Sequence, residues 1–125
     1  NAAPARQVDA ELWRNVDVLI VNRVEAEALC GRTVSDRASA RGAIDELRSL
    51  AGAVVITLGG EGLVVAEADG LTHEIAPVPV RVTSTHGAGD CFVGVLAVQL
   101  AAGASLMQAC EMANARAAAF VSRPL

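Results

Sequence analysis

The chain has 125 residues and a formal net charge of −4, and hydrophobic residues make up 53% of it while aromatic residues make up only 2%. Its core must therefore be built from Ala, Val, Leu and Ile, which favours buried parallel strands and layered helices over an all-β sandwich. All ten basic residues are arginines scattered singly. The chain thus lacks both the basic cluster of a nucleic-acid-binding protein and the lysine of a P-loop, and we predict no nucleic-acid partner.

The cysteines and the chain ends also carry information. Cys30, Cys91 and Cys110 are far apart and follow no metal-binding spacing. Isolated cysteines in apolar surroundings are typical of reduced thiols, so we predict a cytoplasmic protein. The polar start without an initiator Met and the abrupt end predict that residues 1–125 are a piece of one domain.

Strand and helix signals alternate in the first part of the chain, which is the pattern of an α/β layer structure. Short apolar runs with β-branched residues predict three buried strands, at 16–21, 54–58 and 63–66. One helix is predicted at 24–29, ending near Gly31, and a second helix is predicted to begin with Ser35 as its N-cap. The segment 68–82 predicts a turn with edge strands, because its prolines cannot donate to a central ladder.

The last part of the chain predicts two helices, from Gly87 to about 102 and from a capping box at Ser105 and Gln108 to about 121. Residues 91–110 carry no formal charge and are long enough to cross a bilayer. Gly103 marks a helix stop inside this run, however. The sequence therefore predicts two adjoining buried helices and no membrane partner.

The strongest candidate site is the segment Ser-Thr-His-Gly-Ala-Gly-Asp at 84–90. Small residues at 87–89 let a ligand approach the backbone at a helix N-terminus, where unpaired N–H groups and the helix dipole favour an anion. Asp90 would be placed to accept a proton from an attacking hydroxyl. The alternative is a helix that begins with Gly for flexibility and with Asp for favourable first-turn electrostatics.

Asn22 and Glu25 follow the first predicted strand, and ligands of open α/β sheets bind beyond the carboxyl ends of the strands. Two side chains at this spacing on a first helical turn face the same direction. Glu25 could hold a hydrated Mg²⁺, and Asn22 could bind phosphate or metal-bound water. The alternative is that Asn22 is a plain N-cap and Glu25 its first-turn anion.

Two further features could contact a nucleotide. Gly59 and Gly62 would let a loop lie against it, with the Thr57 hydroxyl available to a phosphate, although a plain hairpin turn explains the same residues. Asn114, among alanines, could present its amide to a purine, although it could also be a satisfied or solvent-facing helix residue. Neither the Rossmann glycine fingerprint nor the P-loop motif occurs, so a dinucleotide site is disfavoured.

In their order and spacing these segments resemble the second half of the ribokinase-like (PfkB-type) carbohydrate kinase family. The segments are Asn22-x-x-Glu25, Thr57-Leu-Gly-x-x-Gly62, Thr85-His-Gly-Ala-Gly-Asp90 and Asn114. The resemblance covers essentially the whole chain. It implies an α/β, three-layer ribokinase-like fold of which the C-terminal portion is present, a parallel-rich sheet flanked by helices, with the lid and the N-terminal half absent.

The resemblance also implies a function, namely ATP-dependent phosphorylation of a primary hydroxyl of a sugar or sugar-like molecule, for which residues 1–125 alone would be inactive. Asp90 would be the catalytic base and a ligand of the sugar hydroxyl, and the anion hole would consist of Gly87, Ala88 and Gly89. Glu25 would act on Mg²⁺ through water. The implied ATP contacts are Asn22, Thr57, Gly59, Gly62, Gly89 and Asn114.

Departures from the family pattern leave alternatives open. Ser84 stands where many relatives carry an Asp that helps to hold a monovalent cation, so K⁺ activation stays open, and His86 stands where Thr is common. One alternative is a non-catalytic nucleotide-binding relative, and another is a kinase of a pyrimidine, pyridoxal-type or nucleoside alcohol. A homodimer formed through the lid would use residues outside this chain.

Overall fold

The computed structural model describes residues 16–81 and 87–122. These residues divide into two compact units, the first ending at Ala76 and the second beginning at Pro77. The first unit contains β1 (Val18–Asn22), α1 (Arg23–Cys30), α2 (Arg37–Leu47), β2 (Ala53–Thr57), a 3-10 turn (Gly59–Glu61), β3 (Leu63–Ala66) and β4 (Thr72–Ile75). The second unit contains α3 (Ala88–Ala101) and α4 (Leu106–Val121). The predicted α/β class is confirmed.

The four strands of the first unit form one sheet in the order β1-β2-β3-β4. β1 and β2 are parallel, whereas β3 is antiparallel to both of its neighbours. The sheet that these strands form is therefore mixed, and the parallel-rich character that we predicted is limited to the β1–β2 pair. The reason is connection length, because the short links 58–62 and 67–71 can form only hairpins, whereas a parallel pair needs a crossover such as α1 and α2 provide.

α1 and α2 pack over the sheet and enclose a core of aliphatic side chains. Alternate residues of the strands supply one side of this core: Leu19, Val21, Val54, Ile56, Val64 and Ala66. The predicted apolar stripe of α2 supplies the other side: Ala40, Ala43, Ile44 and Leu47. Each fully buried Leu, Ile or Val side chain stabilises the fold by about 1.5–3 kcal/mol, so this packing holds the carboxyl ends of β1 and β2 in place.

Local hydrogen bonds fix the ends of these helices. Gly31 ends α1 in the left-handed conformation, at φ 70°, and its N–H donates to the Glu27 carbonyl at 2.9 Å. The N-cap of α2 is Asp36 and not Ser35, so that prediction was wrong by one residue. The Asp36 carboxylate accepts the Ser39 N–H at 2.8 Å, and hydrogen bonds from Ser39 lower the pKa of Asp36. Because Ser and Asp are comparable N-caps, the sequence pattern does not separate the two.

α3 and α4 pack against each other within the second unit. The turn between them contains Gly103 at φ 94°, and the predicted capping box of Ser105 and Gln108 opens α4. The two predicted helices are confirmed, but they are only partly buried, since Val98 is 65% exposed and Met112 is 41% exposed. In the part of the chain that the structure describes, no helix has the length and apolar character needed to cross a bilayer.

Candidate active site

The carboxyl ends of β1 and β2 bring Asn22 and Thr57 side by side, as partners in the parallel register. The Thr57 hydroxyl donates across the two strands to the Val21 carbonyl oxygen at 3.4 Å. This distance is long for an O–H···O hydrogen bond, so the bond is weak and the hydroxyl can turn to a better acceptor. Strand pairing therefore creates a small polar edge from residues that are far apart in the chain.

Asn22 is the N-cap of α1, as the alternative interpretation of these residues predicts, and Glu25 completes a capping box with it. Asn22 Oδ1 accepts the Glu25 N–H at 2.8 Å, and Glu25 Oε1 accepts the Asn22 N–H at 2.9 Å. In the capping box each of the two side chains uses only one of its polar atoms, namely one oxygen. Among the described residues, the exposed Asn22 Nδ2 has no acceptor, so its two N–H groups are available to an anion.

The donor set around Glu25 is compatible with Mg²⁺. Glu25 is 6% exposed, and its second carboxylate oxygen lies outside the capping box. Within residues 16–81 and 87–122, no three His, Cys, Asp or Glu side chains gather as a metal cluster. A cation held here would need oxygen ligands from water and phosphate in addition to Glu25, which is the coordination that Mg²⁺ prefers.

The glycine-rich turn connects β2 and β3 as a hairpin, so the alternative interpretation of this segment also describes its backbone. The Leu58 N–H donates to the Gly62 carbonyl at 2.8 Å and closes the turn. Gly59 and Gly62 have positive φ values of 57° and 87°, and such conformations cost other L-residues about 1–3 kcal/mol. A Cβ on Gly59 would meet no heavy atom within 4 Å. The turn is therefore both a hairpin and an open surface that a ligand can approach.

In the second unit, α3 begins differently from the other described helices. The N-caps of α1, α2 and α4 have extended backbones, and the side chain of each accepts a first-turn N–H. Gly87, the N-cap of α3, has φ 81° and provides no side-chain acceptor. The first hydrogen bond of this helix joins the Cys91 N–H to the Gly87 carbonyl at 3.0 Å. The preceding N–H groups, from 88 to 90, therefore have no intrahelical acceptor and suit an anion.

Asp90 occupies the third position of α3. The same position in the other described helices holds the side chain that turns back to complete a capping box: Glu25, Ser39 and Gln108. The Asp90 carboxylate is exposed and makes no hydrogen bond or ion pair within the described residues. Gly89 is exposed too, and a Cβ on it would meet no heavy atom within 4 Å. A carboxylate with unbonded oxygens thus stands beside a row of N–H donors.

Comparison with known proteins identifies the family. A model described as pfkB family carbohydrate kinase matches residues 1–125. The chain belongs to the pfkB family of carbohydrate kinases. Mouse ribokinase is 38% identical to this pfkB-family chain over 104 residues, which are 81% of this chain and 32% of ribokinase. The family resemblance predicted from the motifs is confirmed.

Solved structures confirm the ribokinase-like fold of this pfkB-family chain. Ribokinase from Thermotoga maritima superposes with a TM-score of 0.85 at 28% identity, covering 98% of this chain and 41% of ribokinase. Ribokinase from Arabidopsis thaliana, complexed with ribose and ATP, gives a TM-score of 0.82 at 26% identity, covering 91% and 37%. The chain spans about a third of mouse ribokinase and less than half of either solved structure.

The roles predicted for the site residues of this family member all remain predictions. Ser84 and His86 lie outside the described residues, and Asn114 is half-buried in α4. The structure also adds a residue that the sequence analysis missed. The Cε1 atom of Phe120 lies 3.2 Å from the position that a Cβ on Gly87 would occupy. No sequence signal indicates this contact, because the two residues are far apart in the chain and share no motif.

Proposed function

We propose that the protein transfers the γ-phosphoryl group of ATP to a primary hydroxyl of a sugar or sugar-like molecule in the cytoplasm. The observation that carries this proposal is the Asp90 carboxylate, which makes no bond within the described residues and stands beside N–H groups that no side chain of Gly87 caps. Membership of a carbohydrate kinase family supports it. In this proposal residues 1–125 form the C-terminal nucleotide-binding and catalytic part of one kinase domain and are inactive alone.

Asp90 would act as the base for the accepting hydroxyl. Its carboxylate takes the hydroxyl proton while the hydroxyl oxygen forms a bond to the γ-phosphorus of ATP. The bond from that phosphorus to the β,γ-bridging oxygen breaks, and ADP leaves with the bridging oxygen. Charge on the transferring group faces the N–H donors of Ala88 and Gly89, which are in place before the reaction and need no rearrangement.

The first unit would supply several of the nucleotide contacts. Asn22 would donate its Nδ2 hydrogens to phosphate oxygens, and Thr57 would exchange its long bond to Val21 for a phosphate acceptor. Glu25 would hold Mg²⁺ through water, and bound Mg²⁺ supplies charge neutralisation of the phosphates. The remaining proposed ATP contacts are Gly59, Gly62, Gly89 and Asn114.

Exchanging Asn22 for serine separates its capping role from its proposed phosphate contact. Ser is as good an N-cap as Asn, so the melting temperature of Asn22→Ser should change little. The amide donors are lost, and hydrogen bonds to charged groups contribute about 1.5–3 kcal/mol, so ATP affinity should fall roughly 10- to 100-fold. Calorimetric titration with ATP–Mg²⁺ measures the affinity, and a thermal melt measures the stability.

Asp36→Ser is the matched control, because it makes a comparable exchange at the N-cap of α2. This variant should keep the nucleotide affinity of the original protein. An unchanged affinity in Asn22→Ser would exclude Asn22 from the phosphate site.

A substrate screen of the full-length protein tests the function as a whole. Thermal shifts and ADP release would be measured with ATP–Mg²⁺ and a panel of pentoses, hexoses, nucleosides, pyridoxal and hydroxymethylpyrimidine. We expect ADP release that depends on a sugar. Release only with a pyrimidine, pyridoxal-type or nucleoside alcohol would select that kinase class instead. ATP binding without transfer to any acceptor would identify a non-catalytic nucleotide-binding protein.

A further inference from the structure

We propose that Phe120 is a positioning residue that holds the N-terminus of α3 in the conformation from which it stabilises the transferring phosphoryl group. This inference rests on the proposed function. Phe120 lies near the end of α4. Its Cε1 and Cζ atoms lie 3.2 Å and 3.5 Å from the position that a Cβ on Gly87 would occupy. The ring therefore lies directly against the backbone residue at which α3 begins.

Gly87 needs such a contact because it lacks the side-chain hydrogen bond that restrains the other N-caps. The N-caps of the other described helices are fixed by reciprocal hydrogen bonds between a side chain and the backbone. Gly87 has no side chain, and glycine visits positive and negative φ values with nearly equal ease. The Phe120 ring fills the space beside Gly87 and so limits the movement of the residue whose φ of 81° sets the direction of the first N–H groups.

The exposure of Phe120 argues that its contact with Gly87 matters more than its contribution to the core. Phe120 is 42% exposed, whereas Phe92 in α3 is 4% exposed and belongs to the interior. Loss of a half-exposed ring should affect overall stability much less than loss of a buried one. Met112 in α4 is exposed to almost the same extent, 41%, and provides a matched control.

The expected kinetic signature is a change in kcat with little change in KM. The N–H groups at the start of α3 act on charge that develops in the transition state, so their displacement weakens transition-state binding more than substrate binding. Small misplacements of groups around a reaction centre can cost up to about a hundredfold in rate. We expect Phe120→Ala to lower kcat about tenfold, while the KM for ATP and the KM for the sugar stay within about twofold of those of the original protein. Phe120→Tyr keeps the ring and should restore most of kcat.

The experiment is steady-state kinetics of the full-length protein and of the variants Phe120→Ala, Phe120→Tyr, Met112→Ala and Asp90→Asn. Met112→Ala should keep the original kcat. An equal loss in Met112→Ala, or no recovery in Phe120→Tyr, would show that Phe120 supports only the helix and would overturn the inference. If Phe120→Ala does not fold, Phe120→Leu, which keeps most of the apolar volume without the planar ring, must show the same selective loss of kcat.

Failure of this inference is distinguishable from failure of the proposed function. If Asp90→Asn loses turnover while Phe120→Ala keeps it, the proposed chemistry stands and the role of Phe120 is rejected. If Asp90→Asn keeps turnover, Asp90 is not the base, but the kinase function stands. If the unaltered full-length protein releases no ADP with any sugar of the panel, the proposed function itself is rejected, and the inference about Phe120 is rejected with it.

Discussion

Asp90→Asn is expected to lower turnover by about 10²–10⁴-fold while ATP still binds, because the amide keeps the shape of the carboxylate but cannot accept the hydroxyl proton. The carboxylate is exposed and unbonded within the described residues, so its loss breaks no hydrogen bond of that part of the fold. Its charge stabilises the N-terminus of α3 by about 0.3–1 kcal/mol, which predicts only a small fall in melting temperature. Initial rates of ADP release measure the turnover, and an ATP titration measures the affinity for ATP.

The control for this prediction is Glu111→Gln, which neutralises another exposed carboxylate of the second unit, on α4. Glu111→Gln should keep full turnover. Because both variants lose one negative charge, a general effect of net charge would lower turnover in both alike. Near-normal turnover in Asp90→Asn would remove Asp90 from the role of base, whatever the control shows.

Gly89→Ala is expected to raise stability and to lower turnover at the same time. Gly89 lies in the first turn of α3, and a Cβ there meets no heavy atom of the protein within 4 Å. Alanine favours a helix over glycine by up to about 1 kcal/mol, so the free energy of unfolding should increase. The added methyl group would occupy the space proposed for the phosphoryl oxygens and displace them, which we expect to cost about a hundredfold in turnover.

Gly94→Ala is the control that separates the effect of Gly89→Ala on stability from its effect on turnover. Gly94 lies in the same helix, and a Cβ on it would also meet no heavy atom within 4 Å, so the substitution should bring a similar gain in stability. Because Gly94 lies away from the N-terminus of α3, turnover should not change in this variant. A Gly89→Ala variant that is more stable and fully active would show that no phosphoryl group approaches this backbone.

Sequence reasoning was accurate for most features whose deciding contacts are local. The capping box at Ser105, the end of α1 near Gly31 and the strand at 63–66 each follow from residues only a few positions apart. The one-residue error at Ser35 also concerns a local contact. Asp36 next to it is an equally good N-cap, and only the hydrogen bond to Ser39 decides between the two. At the candidate site, sequence reasoning identified the motif residues, but it did not indicate which of their polar atoms are hydrogen-bonded within the fold and which are available to a ligand.

Local patterns in the chain were enough to establish most helix ends, the apolar stripes, the family motifs and the α/β class, because these depend on periodicity and on short-range hydrogen bonds. Which distant residues meet became known only from the folded arrangement. Strand pairing places Asn22 opposite Thr57, and helix packing places Phe120 against Gly87. Such contacts depend on register and on the packing of whole elements, and no local pattern encodes the distance between residues that only folding brings together.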